Sequence, residues 1–169
     1  TAYHLAKYGW KDTVLLERDV LTSGTTWHAA GLIGQLGSSA TITKLRNYSL
    51  NLYKRLEEET GLSTGLKQNG SLTVATTLDR LEELKRQLTF AQRFDIEARQ
   101  VTNEEIKEIY PLINTEDLVG GVFIEKDGQA DPVGVANVMA KAARQNGAKI
   151  IEKCPVNKIL TKNNKIVGV

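Results

Sequence analysis

Apolar residues follow two spacings along the chain, one typical of helices and one typical of strands. The clearest helical set steps by three and four positions: Leu45, Tyr48, Leu52 and Leu56. This set predicts one face of an amphipathic helix that ends near Gly61. The run TVLLE, residues 13–17, is short, branched and apolar and ends in an acid, which predicts a strand buried on both faces. The run AKIIEK, residues 148–153, predicts a second strand of the same kind.

Capping residues and glycines mark four further helices. Residues 1–8 have helix-compatible apolar spacing, and residues 81–91 carry apolar side chains three and four positions apart. TNEE, residues 102–105, is the capping-box pattern, and Asp131-Pro132 offers an N-cap followed by proline at the first helical position. The predicted N-caps are Thr77, Thr102 and Asp131, and the predicted ends lie at Gly9, before Pro111 and at Asn146-Gly147.

Turn residues separate the remaining apolar runs. LKQNGSLTVAT, residues 66–76, predicts either a hairpin around Asn69-Gly70 or one strand with a glycine bend. GGVFIEKDG, residues 120–128, predicts a strand and a turn, and residues 156–169 predict two strands around Asn163-Asn164. The order of these elements predicts an α/β fold in which a parallel sheet with helices is interrupted by a mixed α+β segment.

Composition narrows the class of protein. The chain has 169 residues, of which 41% are hydrophobic and 25% are charged, as in globular proteins. The net charge of +2 is too small to indicate a nucleic-acid partner, and no apolar run is long enough for a membrane span. A single cysteine, Cys154, excludes an internal disulfide and indicates a reducing compartment. Because the chain opens without methionine and stops within the apolar run KIVGV, we expect a piece of a longer protein.

Glu17 stands where a dinucleotide-binding unit places the acid that binds ribose. In such units an acid at the end of the second strand accepts hydrogen bonds from the adenosine ribose, about 20 residues after a Gly-rich turn. Counting back from Glu17 puts that turn just before Thr1. The glycine-rich segment that follows, residues 22–39, favours ribose binding over the alternative of a surface acid.

The segment VLLERDVLTSGTTWHAAGL, residues 14–32, carries a specific resemblance. It resembles the flavin-binding segment of the sarcosine and dimethylglycine dehydrogenase family, FAD-dependent amine dehydrogenases with the D-amino-acid-oxidase type of fold. Further matching stretches cover essentially the whole chain and lean toward the sarcosine dehydrogenase side: LEEETGLSTGLKQNGSLTVAT, RLEELKR, YPLINTEDLVGGVFIEKDGQADP and AKIIEKCPVNKI. The resemblance implies a Rossmann-like FAD-binding domain in two parts, residues 1–62 and 127–169, separated by a substrate-domain segment, residues 63–126.

The same resemblance implies that FAD is the cofactor and that His28 carries it covalently, through the 8α-methyl carbon. A neutral imidazole nitrogen can attack that carbon only if it lies against the edge of the flavin ring. Small residues around His28 allow close backbone approach, and the threonines supply hydroxyl and N–H groups. The expected cofactor-binding residues are Glu17, Arg18, Gly24, Thr25, Thr26, His28, Ala29, Gly31, Leu32 and Val156. The alternative for Trp27 and His28 is packing within the core.

The remaining candidates have plain structural interpretations. Val156 is expected either to hold the adenine through its backbone or to be a buried strand residue. Gly70 and Ser71 are expected either to lie near the substrate or to form a simple bend in a strand. His4 is expected to be a surface or helix-packing residue, Cys154 a small buried residue, and Asp127 and Asp131 turn and cap residues. No nucleophile–base pair and no metal-binding pattern is visible, so we predict no catalytic residue within this chain.

The reaction implied by the resemblance is oxidation of an N-methyl amino acid, sarcosine or dimethylglycine, by hydride transfer to FAD. The implied partners are this small substrate, an electron-transfer flavoprotein or oxygen, and tetrahydrofolate in a C-terminal domain outside the chain; neither nucleic acid nor a membrane is expected. The implied compartment is the mitochondrial matrix in a eukaryote or the cytoplasm in a bacterium, and the fragment alone is expected to be inactive. Two alternatives stay open: a noncovalent FAD-dependent oxidase, and a non-enzymatic relative resembling the regulatory subunit of pyruvate dehydrogenase phosphatase, which lacks the Trp-His pair.

Overall fold

The computed structural model describes the whole chain, Thr1–Val169. The five α-helices are α1 (Ala2–Lys7), α2 (Ala40–Thr60), α3 (Leu78–Gln92), α4 (Asn103–Ile109) and α5 (Pro132–Gln145). The nine strands are β1 (Val14–Leu16), β2 (Leu32–Ile33), β3 (Ser71–Ala75), β4 (Ala98–Val101), β5 (Gly120–Ile124), β6 (Gly128–Gln129), β7 (Lys149–Ile151), β8 (Leu160–Lys162) and β9 (Lys165–Gly168). A 3₁₀ helix, Thr26–His28, lies between β1 and β2.

The chain forms two compact units, each assembled from separate stretches of sequence. The first unit contains residues 1–30, 53–65 and 131–169, and the second contains residues 31–52 and 66–130. In the first unit β1 pairs with β7 and β8 pairs with β9, while the second holds the pair β2–β6 and the sheet β3–β5–β4. The predicted α/β class, a parallel pair with helices and an interrupting mixed segment, is confirmed.

The first unit is built around the parallel pair of β1 and β7. Val14 lies opposite Lys149, and Leu16 lies opposite Ile151. A parallel pair needs a crossover connection, and α5 supplies the helix that precedes β7. Helix α5 packs against both α1 and β7. The buried residues of the two helices are Tyr3 and Ala6 on α1, and Val138, Ala140, Ala142 and Ala143 on α5.

The strands of this pair are less buried than the sequence predicts. Val14 and Ile151 are exposed, and Leu15 and Leu16 are half-buried, so the prediction of strands buried on both faces is wrong for this structure. The physical reason is that β1 and β7 have only each other as neighbours. Parallel strands reach full burial inside wider sheets with helices on both faces.

The second unit is centred on an antiparallel sheet with β5 in the middle. Strand β3 pairs with one edge of β5 and β4 with the other. One buried cluster joins this sheet to α3, and it comprises Ala75, Leu81, Leu84 and Val122. A second cluster joins the sheet to α4, and it comprises Val101, Ile106 and Leu118. The apolar faces of α3 and α4 therefore pack directly on apolar residues of the sheet.

Residues 66–76 form a strand that follows a glycine bend. Gly70 has a φ of 82°, and β3 begins at the next residue and pairs with β5. The alternative of a hairpin around Asn69-Gly70 is wrong. Local sequence marked the turn, but the partner strand lies about 50 residues away along the chain.

The predicted caps are confirmed. The Thr77 hydroxyl accepts a hydrogen bond from the Arg80 N–H at 3.2 Å, and Asp131 caps α5, with Pro132 following it. Thr102 and Glu105 form a complete capping box at the start of α4. At the other predicted turn, Asn163 and Asn164 both have positive φ, of 52° and 58°, and join β8 to β9. These features depend on residues a few positions apart, which is why sequence reveals them.

Helix α2 has the predicted end but only part of the predicted buried face. It stops at Thr60, and Gly61 follows with a φ of 67°. Of the predicted apolar set, the two members in its second half are buried and the two in its first half are exposed: Leu52 and Leu56, and Leu45 and Tyr48, respectively. The helical spacing predicts which face is apolar, but it does not predict how much of that face another element covers.

Candidate functional site

Glu17 directly follows the last residue of β1. Its N–H donates to the Ile151 carbonyl at 2.9 Å, and its own carbonyl accepts from the Cys154 N–H at 2.8 Å. Its carboxylate oxygen Oε1 accepts from the Asp19 N–H at 3.0 Å, while Oε2 accepts no hydrogen bond from the chain. A half-exposed carboxylate with a free oxygen therefore lies at the carboxyl end of a parallel strand, where α/β sheets bind ligands.

Two hydrogen bonds join the segment after Glu17 to the residues that follow β7. The Leu21 N–H donates to Oε1 of Glu152 at 2.7 Å, and the Lys153 N–H donates to the Asp19 carbonyl at 2.6 Å. Directly after Leu21, Thr22 has a φ of 70°, a left-handed conformation that β-branched residues rarely adopt. Backbone strain of this kind concentrates at functional sites.

Sequence reasoning did not identify Thr22 or Glu152. A signal for Glu152 was present, because the run AKIIE ends in an acid just as TVLLE does. No sequence signal marks the strained backbone of Thr22.

The 3₁₀ helix brings Trp27 and His28 to the surface of the first unit. It is closed by hydrogen bonds of 3.2 Å from the His28 N–H to the Thr25 carbonyl and from the Ala29 N–H to the Thr26 carbonyl. The two rings have centroids 3.8 Å apart and planes tilted by 39°. Trp27 is 58% exposed and His28 is also exposed, so the alternative of core packing is wrong.

The small residues around the aromatic pair leave open space. Gly24, Thr25 and Ala29 are exposed, Thr26 is half-buried, and a Cβ added to Gly24 would meet no atom within 4 Å. Arg18 is exposed and forms no ion pair. The backbone and hydroxyl groups of this segment are therefore accessible to a ligand.

Two of the expected cofactor-binding residues belong to the second unit. Gly31 has a φ of 72°, and its carbonyl accepts from the Ala130 N–H at 2.8 Å. Leu32 is exposed in β2, where it pairs with Gln129. The other expected residues, from Glu17 to Ala29 and Val156, belong to the first unit.

Val156 lies outside any strand. Its side chain is exposed, so the alternative of a buried strand valine is wrong, and β8 begins only at Leu160. Its backbone N–H and carbonyl form no hydrogen bond within the chain. These two groups are therefore unpaired, as groups that bind an adenine edge would be before the ligand arrives.

The remaining single candidates have structural roles. His4 is half-buried on α1, packs edge-on against Tyr3 with ring centroids 5.0 Å apart, and has its pKa lowered mainly by burial. Asp131 caps α5 through Oδ1, which accepts from the Val133 N–H at 3.0 Å. Cys154 is a free thiol that is half-buried rather than fully buried.

Asp127 lies in the turn between β5 and β6, as predicted, but it is more than a turn residue. Its side chain is only 4% exposed. Oδ1 accepts from the Gln35 N–H at 2.7 Å, and Oδ2 accepts from the Ser71 hydroxyl at 2.6 Å. The carboxylate thus joins three separate stretches of the second unit. The contact with Asp127 accounts for Ser71, and the bend before β3 accounts for Gly70.

Two kinds of site are absent from the structure. No group of three or more His, Cys, Asp or Glu side chains is placed to hold a metal ion. None of the five helices combines the length and the apolar character needed to cross a bilayer.

Known proteins resemble this chain along its whole length. A family model described as FAD dependent oxidoreductase (DAO) matches residues 1–169. Human mitochondrial sarcosine dehydrogenase is 46% identical over 160 residues, which cover 94% of this chain and 17% of the relative. Rat mitochondrial dimethylglycine dehydrogenase is 40% identical over 158 residues, 94% of this chain and 18% of the relative.

Mouse mitochondrial pyruvate dehydrogenase phosphatase regulatory subunit is also similar, with 39% identity over 168 residues, 99% of this chain and 19% of the relative. The chain thus spans less than a fifth of the length of these three relatives.

Solved structures share the fold. L-proline dehydrogenase from P. horikoshii superimposes with a TM-score of 0.89 at 30% identity, over 98% of this chain and 43% of that one. Glycine oxidase from Bacillus cereus superimposes with a TM-score of 0.79 at 26% identity, over 99% of this chain and 47% of that one. Both likenesses extend over nearly every residue, as does the family model, and the chain therefore belongs to the FAD dependent oxidoreductase family.

Proposed function

We propose that this chain is part of a flavoenzyme that oxidises N-methyl amino acids, with sarcosine and dimethylglycine as the candidate substrates. Sarcosine dehydrogenase and dimethylglycine dehydrogenase are similar over 94% of the chain. A 4-methylaminobutanoate oxidase from Paenarthrobacter nicotinovorans is 38% identical over 168 residues. The compounds in these three names are all N-methylated amines. The single observation that carries the proposal is the exposed Trp27-His28 pair within the segment that resembles this family.

The groups of the first unit fit FAD. Glu17 offers a free carboxylate oxygen for ribose hydroxyls, and Val156 offers an unpaired backbone N–H and carbonyl for adenine. The open space beside Gly24 admits a ligand close to the backbone, as a pyrophosphate requires. When bound, FAD supplies the redox chemistry, by accepting a hydride from the carbon next to the amine nitrogen. The role of the chain is to bind and orient it.

We further propose that His28 is covalently bonded to the 8α carbon of the flavin. The imidazole must be neutral, because a nitrogen lone pair makes the new bond. Formation of this bond would release one proton from the 8α carbon and one from the His28 imidazole. The electron pair of the broken C–H bond would be taken up by the electron acceptor of the enzyme. An exposed imidazole at the end of a 3₁₀ helix can reach a ring edge.

Trp27 is proposed to orient this imidazole. Its ring lies 3.8 Å from that of His28, centroid to centroid, and limits the rotation of the imidazole about its side-chain bonds. The backbone beneath the pair is fixed by the two hydrogen bonds that close the 3₁₀ helix. Placement of a nucleophile in advance lowers the entropic cost of forming a bond.

Other properties of the whole protein are proposals of the same kind. We propose an electron-transfer flavoprotein or oxygen as electron acceptor, and tetrahydrofolate as an acceptor of the one-carbon unit where a further domain is present. The mitochondrial matrix is the proposed compartment for a eukaryotic source, because the sarcosine and dimethylglycine dehydrogenases are named mitochondrial. We also propose residues 1–62 and 127–169 as parts of the FAD-binding domain and residues 63–126 as part of the substrate domain.

The second candidate function is that of a non-enzymatic relative. It is favoured by the 39% identity to the pyruvate dehydrogenase phosphatase regulatory subunit, which is nearly as high as the 40% identity to dimethylglycine dehydrogenase. Trp27 and His28 count against it, because the resemblance places such a pair in the dehydrogenases and not in the regulatory subunit. A noncovalent oxidase is the third possibility, in which His28 only lines the pocket.

Anaerobic substrate titration tests the proposed activity. The full-length flavoprotein is mixed with sarcosine, dimethylglycine, glycine or L-proline, and the visible absorbance of the flavin is recorded. Bleaching by one of the N-methyl compounds is the expected result. Bleaching by glycine or proline alone would point to a different oxidase, and a protein that purifies without flavin would favour the regulatory relative.

A further inference from the structure

The turn between α1 and β1, residues 8–13, displays two aromatic side chains at the surface of the first unit. Tyr8 is 75% exposed and Trp10 is 67% exposed. The residues of the turn also line an open hollow of about 600 Å³. Exposed apolar groups that are clustered rather than scattered commonly mark an interaction site.

Hydrogen bonds hold this turn in a fixed conformation. The Trp10 N–H donates to the Leu5 carbonyl at 3.0 Å, and the Thr13 hydroxyl donates to the Trp10 carbonyl at 2.8 Å. The Lys149 N–H donates to the Thr13 carbonyl at 2.9 Å, which joins the end of the turn to β7. The backbone that carries the aromatic side chains is therefore ordered in advance, which lowers the entropic cost of binding.

Cations surround the turn. Lys7, Lys11, Arg144 and Lys149 are exposed. A Cβ on Gly147, just after α5, would lie 3.7 Å from the Lys11 side chain, which places the end of α5 beside the turn.

None of these four cations forms an ion pair. Every ion pair of the chain lies in the second unit: Lys85–Glu82, Arg86–Glu83, Arg99–Glu105, Arg99–Glu125 and Lys126–Glu97. The turn itself carries a single carboxylate, Asp12. Glu59 adds a second carboxylate beside Lys7, because Lys7 Nζ donates to the Tyr3 hydroxyl and that hydroxyl donates to Glu59. Four cations against two carboxylates leave this end of the unit positively charged, and so complementary to an anionic surface.

Contrary to the expectation that a membrane is not a partner, we propose that residues 8–13, together with Lys7, Arg144 and Lys149, form a docking surface for an anionic phospholipid membrane. Tryptophan and tyrosine prefer the boundary between lipid headgroups and acyl chains, because their rings are apolar and carry a polar tip. Lysines beside them gain electrostatic attraction to anionic headgroups.

A membrane fits this surface better than a protein partner does. The cations around the turn are mostly lysines, and lysine is depleted in protein interfaces. The turn also lies at the start of β1, whereas Glu17 lies at its end. Membrane contact at the turn therefore leaves the proposed cofactor-binding end of the strand free.

Vesicle sedimentation tests the docking surface independently of the enzymatic proposal. The full-length protein is centrifuged with vesicles of phosphatidylcholine alone and with vesicles of phosphatidylcholine plus phosphatidylserine. We expect binding only to the anionic vesicles, about fivefold weaker for each cation removed in Lys7→Gln and Lys11→Gln. Trp10→Ala should abolish most of the binding and Trp10→Phe should retain part of it. Matched controls are Tyr110→Ala and Lys54→Gln, at exposed positions outside the surface.

The outcomes separate a membrane from other anionic partners. Equal binding to both vesicle types, no binding to either, or an unchanged affinity in a folded Trp10→Ala protein would overturn the proposal. Equally tight binding to polyglutamate that does not depend on Trp10 would instead assign the surface to an acidic protein. Thermal unfolding of each variant shows that the fold is intact.

Discussion

Trp27 and His28 are adjacent aromatic residues that the first unit leaves at its surface. Their rings contact each other at 3.8 Å between centroids, and the backbone beneath them is closed into a 3₁₀ helix. Residues that contribute only to stability are usually buried. Trp27 and His28 are exposed, so burial does not explain why they are present. At the residue scale we therefore propose that this pair contacts the cofactor, whereas the buried carboxylate of Asp127 stabilises the fold.

Replacement of Asp127 by alanine is expected to destabilise the protein by about 3 kcal/mol, because it leaves the Gln35 N–H and the Ser71 hydroxyl without their acceptor in a buried site. The measurement is the denaturant dependence of unfolding. Asp117→Ala, at an exposed acid, is the control and should change stability by less than about 0.5 kcal/mol. Equal stability of the two variants would contradict the role given to Asp127.

Glu57 is expected to make stability depend on pH. Its pKa lies below the ordinary value of 4.5, chiefly because the Thr64 hydroxyl donates to its Oε1 at 2.6 Å, with the Thr64 N–H at 2.6 Å also contributing. A lowered pKa in the folded state stabilises the protein above the unfolded-state pKa, and this stabilisation is lost as the pH falls through the folded-state value. The wild type should therefore exceed Glu57→Gln in stability at neutral pH, and the difference should shrink below pH 4.5.

Unfolding of both proteins across acidic and neutral pH measures this difference. Glu58→Gln, at the next and exposed position of α2, serves as the control and should follow the wild type. A difference between wild type and Glu57→Gln that stays constant with pH would show that the carboxylate contributes nothing through its charge.

Residue roles could be predicted from sequence when their partners lie nearby in the chain. Asp131 and Thr102 were predicted as caps because each bonds an N–H within three positions. The contact of Asp127 with Gln35 spans 92 positions, and no local pattern signals it. The exposure of Val156 and the strain at Thr22 likewise depend on what surrounds them in three dimensions.

At the scale of elements, the helices were predicted better than the strands. All five helices follow from apolar spacing and caps. The short strands β2, β4 and β6 were not predicted as separate elements. Strands of two to four residues are too short for an alternation of apolar and polar residues to be recognised. The pairing of strands that are distant in the chain was also out of reach, as the wrong hairpin alternative for residues 66–76 shows. The pair β8–β9 could be predicted because a short turn joins the two strands.

The bend before β3 gives an element-scale prediction. A Cβ at Gly70 would overlap the Phe123 ring, and the φ of 82° at this position is unfavourable for alanine. Gly61 has a similar φ of 67° but open space around it. We expect Gly61→Ala to cost about 1 kcal/mol through φ alone, and Gly70→Ala to cost a further 1–3 kcal/mol or so through overpacking. Equal costs in urea unfolding would show that the bend tolerates a side chain.

At the scale of the whole molecule, each compact unit combines stretches that are distant in sequence. The first unit joins residues 1–30 to residues 131–169, and these two ends supply the paired strands β1 and β7. The order of elements indicated this arrangement, because parallel strands require a long crossover. The exposure of Val14 and Ile151 could not be predicted, since it depends on how many strands flank the pair.

The function proposed for the full-length protein depends mainly on one segment. Family membership follows from the match over residues 1–169, but that family contains enzymes with different substrates, as the names of the similar structures show. The covalent bond proposed at His28 separates the N-methyl amine dehydrogenase account from both alternatives. A direct test of that bond is therefore the most informative experiment.

That test is the mass of one peptide. The full-length flavoprotein is denatured and digested with trypsin, which cleaves after Arg18 and Lys44 and releases residues 19–44 with His28 inside. The account predicts that this peptide carries the added mass of the flavin in the wild type and loses it in His28→Ala. An unmodified peptide from a holoenzyme that releases free FAD on denaturation would contradict the covalent bond and favour the noncovalent oxidase.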